Sequence, residues 1–320
     1  MFKLLIRRFL LILPQIVILS FIVFFLSDAI PEMTWTLDGG TDMADAFIFN
    51  PNWQDTIFTR YLNWVGGIFT AGDFGWSWRL RMPAMTVVGM RLPNTIRLSL
   101  FTLFLVYGVG IPLGIISGRR SGTWKDRVIR MVTLIGSSLP SFTLAILLLF
   151  FLGFRLDLLP TSGSLPPGVS RAAGFAPYYI GRLRHLILPS LSLAIIQLII
   201  PVKHLRGSII DTEEQEFVTL ARAKGANEKY LFKKHTLKNA ITPLVSSFPI
   251  QLTTIVTSTI IIESIFNIPG IGELFLSAFA GNDTDLVNSL ILVFGLIILL
   301  GSFISDVILM ALDPRVKIEE

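Results

Sequence analysis

The chain has 320 residues, of which 52% are hydrophobic and 15% charged, with a net charge of +5 and a mean hydropathy of +0.68. Ordinary soluble domains carry about a quarter charged residues, so this composition indicates an integral membrane protein. The absence of cysteine excludes disulfides and thiolate metal sites, the three histidines lie far apart, and no Gly-Lys dipeptide is present to build a Walker A phosphate loop. We therefore predict neither a catalytic residue nor a metal site.

Six apolar runs are long enough to cross a bilayer core of about 30 Å as helices. The first follows Lys3, Arg7 and Arg8 but lacks the A-x-A-like cleavage site of a signal peptide, so we interpret it as a retained helix. The predicted fold is an all-α polytopic membrane protein with six transmembrane helices, at about 9–27, 98–118, 131–153, 186–202, 240–262 and 287–305. We divide the chain into residues 1–97, a first helix plus a long extracytoplasmic segment, and residues 98–318, the core transmembrane domain.

Basic residues predict the orientation, because cytoplasmic connections retain an excess of lysine and arginine. With the N-terminus inside, 18 of the 27 lysines and arginines lie in the predicted cytoplasmic pieces. Both termini and residues 203–239 are then cytoplasmic, and residues 30–95, 155–185 and 264–285 lie outside.

The outer segment, residues 30–95, is rich in tryptophan and too long for a plain connection. It is either an aromatic belt at the membrane interface or a folded outer element that contacts another protein. Its tryptophans are Trp35, Trp53, Trp64, Trp76 and Trp78.

A charged stretch separates the fourth and fifth apolar runs. Residues 211–238 contain eleven charged side chains, and placing them in a bilayer would cost roughly 25–40 kcal/mol. We predict a helix over 212–224, ended by Gly225 in the left-handed conformation, and a second helix capped by Asn227. This elbow is either a solvated connector or a helix seated in a groove of another protein. The second interpretation is favoured by small side chains, which permit close approach, at Ala221, Ala223, Gly225 and Ala226.

Polar residues also occur within or beside the last two predicted helices. One face of the fifth helix carries four of them, which either form hydrogen bonds between helices or line a translocation path: Ser247, Gln251, Thr254 and Ser258. Asp306, near the inner end of the sixth helix, is either a functional ionisable residue or, because Arg315 is close, part of a local ion pair or a snorkelling side chain. Glu263 precedes a Pro-Gly-Ile-Gly stretch, where we predict a turn back into a short outer helix, and its plain interpretation is a loop carboxylate.

Four motifs, in order along the chain, are similar to those of one family. TLARAKGANEKYLFKKHTLKNAITP at 219–243 resembles the cytoplasmic "EAA" loop of ABC-transporter permeases, in the version of the oligopeptide, dipeptide and nickel permease family. IIIESIFNIPGIGELF at 260–275 resembles the pattern that follows the fifth span of that family, and ALDPRVK at 311–317 resembles its C-terminal ending. NWVGGIFTAGDFGWSW at 63–78 and RLPNTIRLSL at 91–100 resemble its outer segment and second span.

The resemblance implies a permease subunit of the ABC importer type I kind, like oligopeptide permease B, in the inner or cytoplasmic membrane of a bacterium. It implies that the loop couples to a separate ATPase, through Phe217, Thr219, Ala221, Arg222, Ala223, Lys224, Gly225 and Ala226. The implied partners are a second homologous permease subunit, two ATP-binding cassette ATPases, an extracytoplasmic substrate-binding protein and the lipid bilayer, with no nucleic acid. ATP and Mg are expected on the ATPases, no cofactor on this chain, and peptide is the expected cargo.

The chain departs from the family pattern in two places. Thr219-Leu220-Ala221 stands where the loop's name has Glu-Ala-Ala, and Thr257-Ser258-Thr259 stands where relatives tend to carry glycines, which leaves the shape of the pore and the cargo open. Nickel complexes, glutathione and oligosaccharides are alternatives to peptides. The alternative function is a secondary transporter or channel, which would carry ionisable residues at mid-membrane; the six cores contain essentially none. A membrane enzyme would need clustered acids, histidines or cysteines.

Overall fold

A computed structural model of the protein describes residues 2–28 and 55–312, and most of this part is helical. The first half contains α1 (Phe2–Asp28), α2 (Ile57–Ala71), a two-stranded antiparallel hairpin of β1 (Trp76–Ser77) and β2 (Met82–Pro83), α3 (Ala84–Arg119), α4 (Trp124–Ser138) and α5 (Ser141–Leu148). A π-helical segment, Leu149–Arg155, continues α5, and a 3₁₀ turn, Arg171–Ala173, precedes the next helix.

The second half contains α6 (Phe175–Gln197), α7 (Ile199–Glu213), α8 (Glu216–Ala223), α9 (Glu228–Leu231), a π-helical segment (Phe232–Thr236), α10 (Leu237–Ala240), α11 (Thr242–Ser246), α12 (Phe248–Ile265), α13 (Ile271–Ala280) and α14 (Thr284–Leu312). Trp35 and Trp53 of the outer segment, and the Asp-Pro-Arg part of the C-terminal motif, lie outside the described residues.

Four helices of the described residues are long and apolar enough to cross a membrane: α3, α6, α12 and the Thr284–Ile308 part of α14. The apolar part of α1, Leu10–Phe25, is shorter. Three of the predicted spans begin at other residues than expected. α3 starts at Ala84 rather than near 98, α6 at Phe175 rather than near 186, and α12 at Phe248, after the separate helix α11, rather than near 240.

The third predicted span is not one straight helix. α4 ends at Ser138, and the chain bends by 101° before α5 and its π-helical continuation, so that 124–155 counts as a fifth candidate span only if the bent pair is taken together. Leu139 is extended, with φ −87° and ψ 138°, because the ring of Pro140 disfavours helical backbone in the preceding residue. The prediction of an unbroken helix over 131–153 was wrong because it ignored this proline.

Close packing of α3 against α7 brings the turn between α3 and α4 and the charged stretch together. Gly110 and Gly114 lie one helical turn apart on α3, and a methyl group built on them would come within 2.6 Å of Pro201 and 3.0 Å of Leu205 on α7. Such small residues at four-residue spacing allow helix backbones in a membrane to approach closely. Leu205 and Ile209 are fully buried at this contact, which fixes the direction in which α7 leaves the bundle.

The hairpin of the outer segment is attached to the turn between α13 and α14. The hydroxyl of Ser77 donates to Asp283 over 2.5 Å, and the backbone N–H of Trp76 donates to Asp285 over 3.1 Å. Burial raises the pKa of Asp283. This part of the outer segment is therefore a folded element that packs on the bundle and not a free connection, and Trp76 is about half exposed within it.

Candidate functional site

The candidate site is the elbow formed by α8, the turn after it and α9, at the end of α7. The predicted helix over 212–224 is divided, because α7 ends at Glu213 and α8 begins at Glu216, with Gln215 extended between them. Val218 of α8 is fully buried, whereas Phe217 and Leu220 are 43% and 58% exposed. The fully buried Val218 lies three residues after the break at Gln215, and no local propensity in the sequence signals this break.

The turn after α8 has the conformation that the sequence predicts. Gly225 has φ +82°, in the left-handed region, its N–H donates to the carbonyl of Arg222, and the N–H of Ala226 donates to the carbonyl of Ala221. These two bonds form a Schellman motif, which satisfies two carbonyls at the end of the helix. The side chain of Asn227 accepts from the N–H of Lys229 over 2.9 Å and caps α9, as predicted.

An ion pair joins the two arms of the elbow. Arg222 Nε donates to Glu228 Oε1 over 2.7 Å, and its Nη2 donates to Oε2 over 3.4 Å. The hydrogen bond from Arg222 lowers the pKa of Glu228 and raises that of Arg222. The pair therefore persists below the pH at which an ordinary glutamate is protonated. Since both side chains are largely exposed, it orients the elbow more than it stabilises it.

The eight predicted coupling residues lie together on α8 and its turn. Those with exposed side chains or backbone are Phe217, Thr219, Arg222, Ala223, Lys224 and Gly225, and those partly buried are Ala221 and Ala226. Leu220 and Tyr230, which the sequence did not single out, add exposed apolar surface to the same elbow, at 58% and 54% exposure. A short helix that presents aliphatic and aromatic side chains beside small residues is a surface suited to a protein partner.

The predicted polar face of α12 is not uniform. Ser247 and Gln251 are buried in this chain, whereas Thr254 and Ser258 are partly exposed. Gln251 Nε2 donates to Gln197 Oε1 of α6 over 3.0 Å. Gln251 therefore forms the hydrogen bond between helices that was one of the two interpretations, while the role of this face in a translocation path stays a prediction.

Comparison with known proteins assigns the family. A family model described as "Binding-protein-dependent transport system inner membrane component" matches residues 110–318, which is more than half of the chain. The chain belongs to this family. The resemblance inferred from the four motifs is confirmed, and the protein is a membrane protein with several apolar helices that functions in transport.

Individual relatives of this transport-system component are peptide permeases. The chain is 29% identical, over 98% of both chains, to the oligopeptide transport system permease protein AppB of Bacillus subtilis. It is 29% identical to the dipeptide transport system permease protein DppB of Lactococcus lactis, over 84% of this chain and 82% of that one. It is 32% identical to a putative peptide permease protein of Brucella ovis, over 81% of this chain and 79% of that one.

A solved structure shares the fold. The chain is similar, with a TM-score of 0.56 and 16% identity, to a chain of the MetNI methionine ABC transporter in inward-facing conformations. The likeness covers 72% of this chain and 97% of that chain. This transport-system component therefore shares its fold with that chain of an ABC transporter.

Glu263 has a role that the sequence did not predict. It lies in α12 rather than in a loop, it is fully buried, and it accepts from the hydroxyl of Thr95 on α3 over 2.5 Å. Its other oxygen accepts from the N–H groups of Gly272 and Glu273, over 2.7 and 3.1 Å, at the start of α13. The predicted turn back into a short helix is confirmed, and the carboxylate stabilises that helix at its positive end.

A second buried carboxylate, Asp126, lies in the first turn of α4. Asp126 accepts from Ser117 of α3 over 2.6 Å, and Arg206 of α7 donates to its two oxygens over 2.8 and 3.0 Å. This ion pair ties α7, which carries the elbow, to the turn between α3 and α4. The one signal for this ion pair in the sequence is an acidic residue in the first turn of a helix, which does not identify its partner. Asp306 is partly buried in α14, and Arg315, its predicted partner, lies outside the described residues.

Proposed function

We propose that the chain is the permease subunit of an ATP-driven importer for peptides, and that it forms half of the translocation pore. Six crossings account for the chain: α1, α3, the bent pair α4 and α5, α6, α12 and α14. Both termini and residues 203–239 are on the cytoplasmic side in this proposal, and residues 1–97 and 98–318 are the outer-segment unit and the core. The peptide cargo is supported by the names of the relatives in Bacillus, Lactococcus and Brucella.

One observation carries the coupling part of the proposal. α8 is joined to α9 by a Schellman motif and an ion pair, and it exposes Phe217 and Leu220 while Val218 is fully buried. A solvated connector gains nothing from two large exposed apolar side chains on an eight-residue helix, whereas a helix seated in a partner's cleft buries them.

The proposed partners follow from this surface and from the family. Two ATPases, which bind ATP and Mg, dock on the elbows of this chain and of a second homologous permease subunit. A substrate-binding protein delivers cargo on the opposite side, in the periplasm or at the outer surface of the bacterial inner membrane. The packing of the β1–β2 hairpin on the bundle supports an outer surface with a defined shape for that contact.

The test replaces Leu220 by glutamate, which adds one negative charge to the exposed face of α8. We expect co-purification of the ATPase and uptake of labelled peptide to fall at least tenfold, since an unpaired charge buried at an interface costs more than about 1.4 kcal/mol. Lys238→Gln on α10 is the matched control, because it changes the net charge by the same amount at an exposed position off α8. Normal co-purification and uptake of Leu220→Glu, at normal membrane abundance, would refute the coupling assignment.

A further inference from the structure

Three arginines surround one buried tyrosine at the end of the bundle opposite the elbow. Arg97 lies on α3, Arg171 in the 3₁₀ turn, and Arg182 on α6. The guanidinium carbons of Arg182 and Arg171 lie 4.8 and 5.9 Å from the centre of the Tyr178 ring, which is 7% exposed. We call these three arginines and Tyr178 the arginine cluster. It joins segments of the chain that are about 75 residues or more apart.

The position of the cluster along α3 gives its depth in the membrane. Arg97 precedes Arg119 by 22 residues of continuous helix, which corresponds to about 33 Å. Arg119 ends α3 at the predicted cytoplasmic side, and a bilayer core is about 30 Å thick. Arg97 therefore lies at the outer boundary of the membrane, where cargo would enter the permease.

The cluster has no counter-charge within the described residues. Arg97 donates to the amide oxygen of Asn94 over 2.9 Å, and Arg171 lies beside the Tyr178 ring, so both neighbours are neutral groups. Nε of Arg182 is withdrawn from solvent and has no hydrogen-bond partner, and none of the three arginines forms an ion pair with a carboxylate of residues 55–308.

Such an arrangement is unfavourable unless an anion completes it. Arg97 and Arg182 are only partly exposed. Their guanidinium groups repel each other and that of Arg171. A buried donor left without an acceptor destabilises a protein, and Nε of Arg182 is such a donor. The guanidinium fork binds two oxygens of a planar oxyanion at once, which matches a carboxylate.

We propose that the arginine cluster binds the α-carboxylate of the transported peptide at the outer entrance of the permease. This inference rests on the proposed function, because it takes the cargo to be a peptide. Every linear peptide has one α-carboxylate whatever its sequence, so a site for this group recognises peptides without selecting their side chains.

The test compares uptake of one labelled peptide with a free C-terminus and of the same peptide as its C-terminal amide. The complete importer, with its binding protein at saturating concentration, is reconstituted in proteoliposomes. We expect Arg182→Gln and Arg97→Gln to reduce uptake of the free acid about ten- to hundredfold, the range for loss of a charged hydrogen bond, and to leave uptake of the amide unchanged. Arg182→Lys keeps the charge but not the fork, so it should lose only part of this uptake.

Arg184→Gln is the matched control, because Arg184 is an exposed arginine of α6 outside the cluster, and it should behave like the wild type. A fold defect is monitored by thermal unfolding of the purified complex. Removal of one of three like charges should leave this stability unchanged or raise it. In the same assay, N-acetylalanine should stabilise the wild type but not Arg182→Gln, and N-acetylalanine amide and inorganic phosphate should stabilise neither.

Equal loss of uptake for the acid and the amide would overturn the inference and indicate that the cluster pairs with an acidic group of a partner protein. Stabilisation by phosphate but not by N-acetylalanine would overturn it in favour of a lipid headgroup. If the wild-type importer carries neither peptide, the proposed function fails. If the wild type carries the peptide and the variants carry the acid at the wild-type rate, only the carboxylate site fails.

Discussion

Replacement of Gly225 by valine tests the elbow through the conformation of its backbone. Gly225 has φ +82°, and a Cβ atom built on it meets no atom within 4 Å. The substitution therefore introduces no clash with the rest of the protein. Within this chain its effect therefore comes from the left-handed conformation, which a β-branched residue adopts only with strain.

Because no clash contributes, the free-energy cost of the substitution is that of the left-handed backbone alone. Left-handed backbone costs an L-residue about 1–2 kcal/mol, and valine lies at the upper end because of its branched Cβ. A difference of about 2 kcal/mol shifts the equilibrium between the native turn and other turns roughly thirtyfold. The turn relaxes by losing the bonds from Gly225 and Ala226 to α8, which changes the angle between the two arms of the elbow. Because the change is confined to an exposed turn, insertion and membrane abundance should stay normal.

The assay measures three quantities in the same cells: abundance of the permease in membranes, co-purification of the ATPase, and uptake of labelled peptide. Gly225→Val should lose uptake and co-purification at normal abundance. Gly225→Asn is the control, since asparagine tolerates the left-handed conformation, and it should retain most of both. Normal uptake by the valine variant would refute the reasoning, and equal loss by the asparagine variant would show that the glycine is required for another reason.

Three further predictions concern the buried carboxylates and the orientation. Glu263→Gln should lower the free energy of unfolding of the purified protein by about 1–3 kcal/mol and expose α13 to proteolysis. The reason is that the single amide oxygen cannot accept from Thr95 and from both N–H groups of α13. Unchanged proteolysis would contradict this. Asp126→Ala should destabilise the protein by about 3–5 kcal/mol because it leaves Arg206 unpaired. The double variant Asp126→Ala, Arg206→Met should recover part of this stability, which unfolding of the single and double variants would measure. Lys229→Cys, in a chain without cysteine, should react with an impermeant thiol reagent only after the cells are opened, and reaction in intact cells would reverse the orientation.

The sequence by itself determined the class of the protein and the local geometry of the elbow. The apolar runs predicted membrane helices, since each helix satisfies its own backbone and needs only apolar side chains to enter lipid. The left-handed Gly225 and the cap at Asn227 were predictable because both depend on residues within one turn. Pro140 carried the same kind of local signal for the bend in the third span, and it was overlooked.

The tertiary structure alone decided which distant residues act together. Thr95 meets Glu263, Arg206 meets Asp126, and Gln197 meets Gln251, across separations of 168, 80 and 54 residues. The predicted 212–224 helix is likewise divided at Gln215, close to the fully buried Val218. Neither hydrophobic periodicity nor capping residues encode such contacts, because each depends on the packing angle and register of two helices. The packing angle and the register are set by the whole packed surface. The arginine cluster could therefore be recognised only from the packing of α3 against α6.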